Sequence, residues 1–187
     1  MSLFGMGLDI KSNFTLLERA VAHFDPRFTL RVLRSISSMR KHLTPEVLAE
    51  VIVETYSASS STASFLLEAL GQTSAFENAP ANSQMEVDSD KKPIPKETLA
   101  EVDAYLSILV QIYLFDQREI QKGAQFSTSL IERLRALNRR TLDSLAARVY
   151  FYYSLFFEQL APLPPSPAAA VTTIRQPLLA ALRTAVL

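Results

Sequence analysis

The chain has no cysteine and no tryptophan, and only four glycines and two histidines among its 187 residues. Without cysteine there can be no disulfide framework, no thiol nucleophile and no thiolate zinc site, and a reducing compartment suits such a chain. Gly5, Gly7, Gly71 and Gly123 are too few and too scattered to build a glycine-rich phosphate cradle. His23 and His42 fall near expected helix ends with no partner at metal-ligand spacing, so they read as structural or solvated, and no metal or other cofactor is expected. Serines are plentiful, yet no G-x-S-x-G elbow occurs. Net charge is absent too: 19 basic residues meet 19 acidic ones, which leaves no global field to attract nucleic acid or an acidic membrane. The longest strongly apolar run free of charge, 104–115, is well short of the ~20 residues of a membrane span. The opening MSLFGMGLDIKS has no basic start and does not read as a secretory signal. An enzyme is therefore the weakest reading, and a soluble intracellular helical protein is the expectation.

What the chain does have is helical periodicity. In 137–160, Leu142, Leu145, Ala146, Val149, Tyr153, Phe156 and Leu160 recur at spacings of three or four. A second stripe, Ala147, Tyr150, Ser154, Phe157 and Ala161, has the same period, and Asn138 is the expected N-cap. A helix apolar around most of its circumference needs cover on several sides, so this one is expected at the centre of a helical stack.

Earlier segments carry their own start and stop signals. Leu16, Leu17, Ala20 and Phe24 mark a helix over 11–23 behind a Ser12 or Asn13 cap. Asp25-Pro26 and Thr44-Pro45 each pair a capping side chain with a proline whose missing N–H costs nothing in a first turn. They open helices burying Phe28, Val32, Ile36 and Met39, then Val47, Leu48, Val51, Ile52 and Tyr56. A further helix over 62–70 ends at Gly71, suited to a left-handed C-terminal cap.

Residues 72–96 are polar and proline-containing, cannot bury enough apolar surface to offset their ordering, and read as a disordered linker. Trypsin is expected to cut there first, at Lys91, Lys92 or Lys96. The organisation is thus a helical segment over 1–71, the linker 72–96, and a helical-repeat segment over 97–187. In the last, Leu99, Val102, Leu106, Leu109, Val110, Tyr113 and Leu114 form one face, and Ile120, Ala124, Leu130, Ile131 and Leu134 another. Gly123 and Ala124 are small enough for a close helix crossing. A proline-rich connector, 162–167, leads to a final helix over 171–187. Helix starts at 97 and 139 give a period suited to antiparallel pairs stacked as a TPR-like or HEAT-like solenoid.

Two charged patterns stand out. Glu46, Glu50 and Glu54 line one helix face, as a solvated face would. Arg27, Arg31, Arg34 and Lys41 form a basic stripe that could track phosphates, although the first 71 residues carry as many acidic as basic side chains. On the final helix Leu178, Leu179, Leu182 and Val186 form an apolar face with few charges, the candidate partner-binding surface.

The words DIKSNFTLLERAV, PRFTLRVLRSI, EVDAYLSILVQIYLF and above all NRRTLDSLAARVYFYYSLFFEQL resemble the N-terminal half of the family of non-ATPase subunit three of the proteasome regulatory-particle lid. The resemblance implies stacked helical repeats leading to a winged-helix PCI module, and a non-catalytic scaffold in ubiquitin-dependent proteolysis. Its implied partners are other lid subunits, including subunits seven and twelve and the small acidic lid subunit, in cytoplasm and nucleus. The sequence stops before any winged-helix pattern, which reads as a truncated member. Alternatives are a scaffold of another PCI complex, the signalosome or a translation initiation factor, and a nucleic-acid binder using Arg27, Arg31 and Arg34.

Overall fold

A computed structural model describes residues 3–75 and 98–160. Seven α-helices occupy them: α1 (Leu3–His23), α2 (Pro26–Met39), α3 (Pro45–Thr55), α4 (Ser61–Leu70), α5 (Ala100–Asp116), α6 (Ile120–Leu137) and α7 (Asp143–Leu160). Short 3-10 turns, Arg40–His42 and Arg140–Leu142, prolong α2 and precede α7. No strand occurs among the described residues. The described chain is all-α, and its helices stack as antiparallel pairs in the manner of a helical-repeat solenoid, α1 on α2, α3 on α4 and α6 on both α5 and α7. Most of the expected linker, from residue 76, and the whole final helix with Leu178, Leu179, Leu182 and Val186 lie outside the described residues.

The helix ends obey local chemistry. The Asp25 carboxylate accepts a hydrogen bond from the Arg27 amide at 2.9 Å, with Pro26 in the first turn. Thr44 and Ser60 hydroxyls accept from the amides of Val47 and Ala63. Gly71 closes α4 at φ +73, a left-handed conformation glycine adopts without a Cβ penalty, and the next amide, of Gln72, reaches back to the Leu67 carbonyl.

Three boundaries differ from the sequence expectation. Helix α1 starts at Leu3 rather than 11, because neither Ser12 nor Asn13 caps: Ser12 donates to the Asp9 carbonyl within the helix and Asn13 is buried. Helix α5 begins at Ala100, with Leu99 in the cap position. Asn138 ends α6 instead of starting α7. It sits at φ +43 and its amide donates to Leu134, so asparagine serves here as a left-handed C-cap.

The organising helix also differs. Every residue of α5 from Ala100 to Ile112 is buried except Asp103, and the helix packs against α1, α3, α4, α6 and α7. Its polar residues Glu101, Ser107 and Gln111 are buried with the rest, which a sequence stripe does not reveal. Helix α7 buries one face only, through Leu145, Val149, Tyr152, Tyr153 and Phe156. Of its expected second stripe, Ala147 is exposed and Tyr150, Ser154 and Phe157 are half-buried. Helices from both sides of residues 76–97 therefore contribute to one apolar core.

Candidate interaction surface

Polar contacts between helices converge on α5. The Asn13 amide of α1 donates to Tyr105 Oη at 3.0 Å and to Ser35 Oγ of α2 at 3.2 Å. Tyr56, at the end of α3, donates to Asp103 Oδ1, and Thr141 donates to Glu101. Gln111 donates to Ser127 Oγ of α6 at 2.7 Å, and Ser127 donates to the Gly123 carbonyl. Arg40 clamps Asp116 through two nitrogens, a charge-assisted pair that raises the guanidinium pKa further. Burial raises the pKa of the Tyr56 and Tyr105 hydroxyls and also that of the Asp103 carboxyl, whose hydrogen bond from Tyr56 acts in the opposite sense. These groups hold helices in place.

Among the described residues no cluster of three or more His, Asp or Glu side chains is arranged to hold a metal ion. Glu46, Glu50 and Glu54 are all exposed, and Glu54 pairs with Lys11. No described helix is long and apolar enough to cross a membrane.

Arg27, Arg31, Arg34 and Lys41 are exposed. From Pro26 to Leu43 the sequence contains no acidic residue, and Arg40 alone in this stretch has a carboxylate partner among the described residues. Leu30 lies in the stripe and is itself 43% exposed. Phe24, expected on the buried face of α1, is 82% exposed instead. The chain turns there with φ +51, which swings the side chain out of the stripe formed by Leu17 and Ala20.

Beside this turn lies an open cleft of about 630 Å³ between the α1–α2 corner and the start of α7. Ala20, Val21, Phe24 and Pro26 give it an apolar wall, and Arg139 and Arg140 stand on the other side. No sequence pattern ties either arginine to Phe24, since both are more than a hundred residues away and only the packing of α2 on α7 brings the segments together. A second cleft of about 310 Å³ lies among α4, α5 and α6, lined by Phe65, Asp103 and Arg133, with the Arg133 guanidinium 4.1 Å over the Phe65 ring.

A family model described as PSMD3-like, N-terminal TPR repeats, matches residues 6–187. A probable 26S proteasome regulatory subunit rpn3 from Schizosaccharomyces pombe is 34% identical over 151 residues, covering 81% of this chain and 29% of the relative. The 26S proteasome non-ATPase regulatory subunit 3 of Dictyostelium discoideum is 31% identical over 181 residues, covering 96% of this chain and 34% of its own length. A probable subunit 3 from Anopheles gambiae is 32% identical over 146 residues, or 78% of this chain and 28% of the relative. The chain thus spans about a third of the length of these relatives. With the family model matched from residue 6 to the last residue and a described fold of paired helices, the chain belongs to the family of PSMD3-like N-terminal TPR repeats.

Proposed function

We propose that this chain is a non-catalytic scaffold of the proteasome regulatory-particle lid and supports ubiquitin-dependent protein degradation from within the cytoplasmic and nuclear proteasome. The observation that carries the reading is the family match over 6–187, together with relatives from a fission yeast, an amoeba and a mosquito that are each named as a 26S proteasome regulatory subunit. The physical arrangement supports it. Buried hydrogen bonds and aromatic contacts are spent on fixing helix against helix, as a rigid spacer between other proteins requires.

The proposed partners are other lid subunits, including subunits seven and twelve and the small acidic lid subunit. Leu178, Leu179, Leu182 and Val186 are the proposed contact surface on the C-terminal side. Affinity purification of the tagged chain from cells, with identification of what accompanies it, tests the reading. Recovery of lid subunits is expected, with less of them after Leu179→Glu and Val186→Lys together. A pull-down containing signalosome or initiation-factor subunits and no lid subunit would overturn it.

A further inference from the structure

We propose that Met39 is a site of reversible oxidation, and that the buried donors around its sulfur are arranged to hold the sulfoxide. This goes beyond the scaffold reading and requires no partner. Met39 is the last residue of α2 and is 5% exposed. Thioether sulfurs in a core commonly fill gaps between apolar or aromatic neighbours. This one accepts from Asn13 Nδ2 of α1 at 3.8 Å and from Tyr105 Oη of α5 at 3.9 Å, and both donors are buried.

The direction of each bond follows from the hydrogens available. Ser35 Oγ gives its hydrogen to the Val32 carbonyl at 2.8 Å, so it accepts from Asn13 Nδ2. Nδ2 also donates to Tyr105 Oη at 3.0 Å, which leaves the phenol hydrogen for the sulfur alone among the described residues. The run of hydrogen bonds therefore ends on a thioether, a weak acceptor. A fully buried hydroxyl paired so poorly forfeits much of the free energy that a good acceptor would return.

An oxygen on the sulfur supplies that acceptor. Donors approach a thioether along its lone pairs, and oxidation places the new oxygen on one of them. Asn13 Nδ2 and Tyr105 Oη lie only 3.0 Å apart, so one oxygen directed between them is within reach of both, and one of the two sulfoxide epimers is selected. The oxidant is a peroxide. The sulfur gives an electron pair to one peroxide oxygen, the O–O bond breaks, the S–O bond forms and, with hydrogen peroxide, water leaves. Sulfur is oxidised by two electrons and the peroxide is reduced by two. A dithiol reverses the step, becoming a disulfide as the oxygen departs in water. Access comes from the helix end. Met39 passes into the turn Arg40–His42, whose three side chains are exposed, and helix ends open locally at less cost than a core. Methionine oxidation normally disrupts a core. Here it turns the weakest bond of a buried network into a strong one and tightens the joint of α1, α2 and α5.

The test treats the folded, intact protein with hydrogen peroxide and locates the added oxygen by mass spectrometry of its peptides. Urea unfolding then compares oxidised with untreated protein, for the parent and for Tyr105→Phe. Met39→Leu, handled identically, supplies the effect of oxidising Met1, Met6 and Met85, which is subtracted. One oxygen on Met39 is expected, with the parent's urea midpoint unchanged or raised. Tyr105→Phe keeps the ring and removes the phenol donor, so oxidation of Met39 should lower its midpoint. In the Met39 peptide isolated after digestion, one of the two epimer-specific sulfoxide reductases should remove the oxygen and the other should leave it. An unoxidised Met39 in the peroxide-treated folded protein would overturn the assignment. So would a midpoint that falls equally with and without the Tyr105 hydroxyl, or a Met39 peptide that both reductases restore in equal share.

Discussion

Phe156 is fully buried, and the space for its ring exists because residue 123 has no side chain. A Cβ at Gly123 would fall 2.2 Å from Phe156 Cε1 and 2.4 Å from Cζ, far inside contact distance. The ring also meets Phe115 edge-on, with centroids 5.5 Å apart. Glycine inside a helix normally costs about 1 kcal/mol relative to alanine. Here the sign reverses, because the added methyl must displace a packed aromatic ring. Gly123→Ala is expected to lower stability by about 1–3 kcal/mol in urea unfolding, the usual cost of overpacking. Phe156→Ala should cost about 3–5 kcal/mol, as emptying an aromatic core site does. In the double variant the new methyl occupies part of the vacated space, so the two losses should sum to more than the measured total. Arg148→Ala is the control. Its guanidinium lies 5.9 Å over the half-exposed Phe151 ring, and its removal should change stability far less.

Helix α5 works as an element through its tyrosine contacts. Burial holds the Tyr56 and Tyr105 hydroxyls neutral well above the pH at which a free tyrosine ionises. The unfolded chain begins to release those protons near pH 10, while the folded chain still binds them. Their contribution is thus complete below pH 10 and is lost as pH rises beyond it, by up to about 1.4 kcal/mol per tyrosine for each pH unit. Tyr105→Phe should flatten that alkaline loss. At neutral pH it should cost about 1 kcal/mol, because Asn13 then loses the hydrogen bond at 3.0 Å and keeps the one to Ser35. Stability of both proteins against pH from 8 to 11 checks this, and parallel curves would show that Tyr105 ionises freely. Elements of this kind are partly legible in sequence. Asp25-Pro26, Thr44-Pro45 and Gly71 signal their helix ends because a cap is a contact between near neighbours. Asn138 misleads for a physical reason, since asparagine suits both an N-cap and a left-handed C-cap, and only the neighbouring turn decides. The centrality of α5 is hidden by Glu101, Ser107 and Gln111, polar residues whose burial depends on partners such as Thr141 and Ser127 farther along the chain. Phe24, Arg139 and Arg140 are illegible as a group, because no periodicity links residues so distant.

At the scale of the molecule, α5 unites the helices on the two sides of residues 76–97. It packs on α1, α3 and α4 from the N-terminal side and on α6 and α7 from the C-terminal side. Asn13 and Tyr56 reach it from the first group, and Ser127 and Thr141 from the second. Tyr105, Leu106, Ile108, Leu109 and Ile112 are all fully buried within that shared core. Separating the groups would expose these side chains together with the polar atoms they enclose, a cost that a backbone cut elsewhere does not offset. Covalent continuity through 76–97 is therefore dispensable once the chain has folded. A specific protease site inserted between Ser83 and Gln84 gives the test. After complete cleavage the two pieces should still elute together on gel filtration at the position of the uncut chain, and should unfold in one urea transition near the original midpoint. Addition of Tyr105→Ala, which empties the place where α1, α2 and α5 meet, should let the nicked pieces separate at lower urea than the nicked parent. Elution of two independent helical fragments from the cleaved parent in the absence of denaturant would show that α5 does not bind the two groups into one cooperative unit.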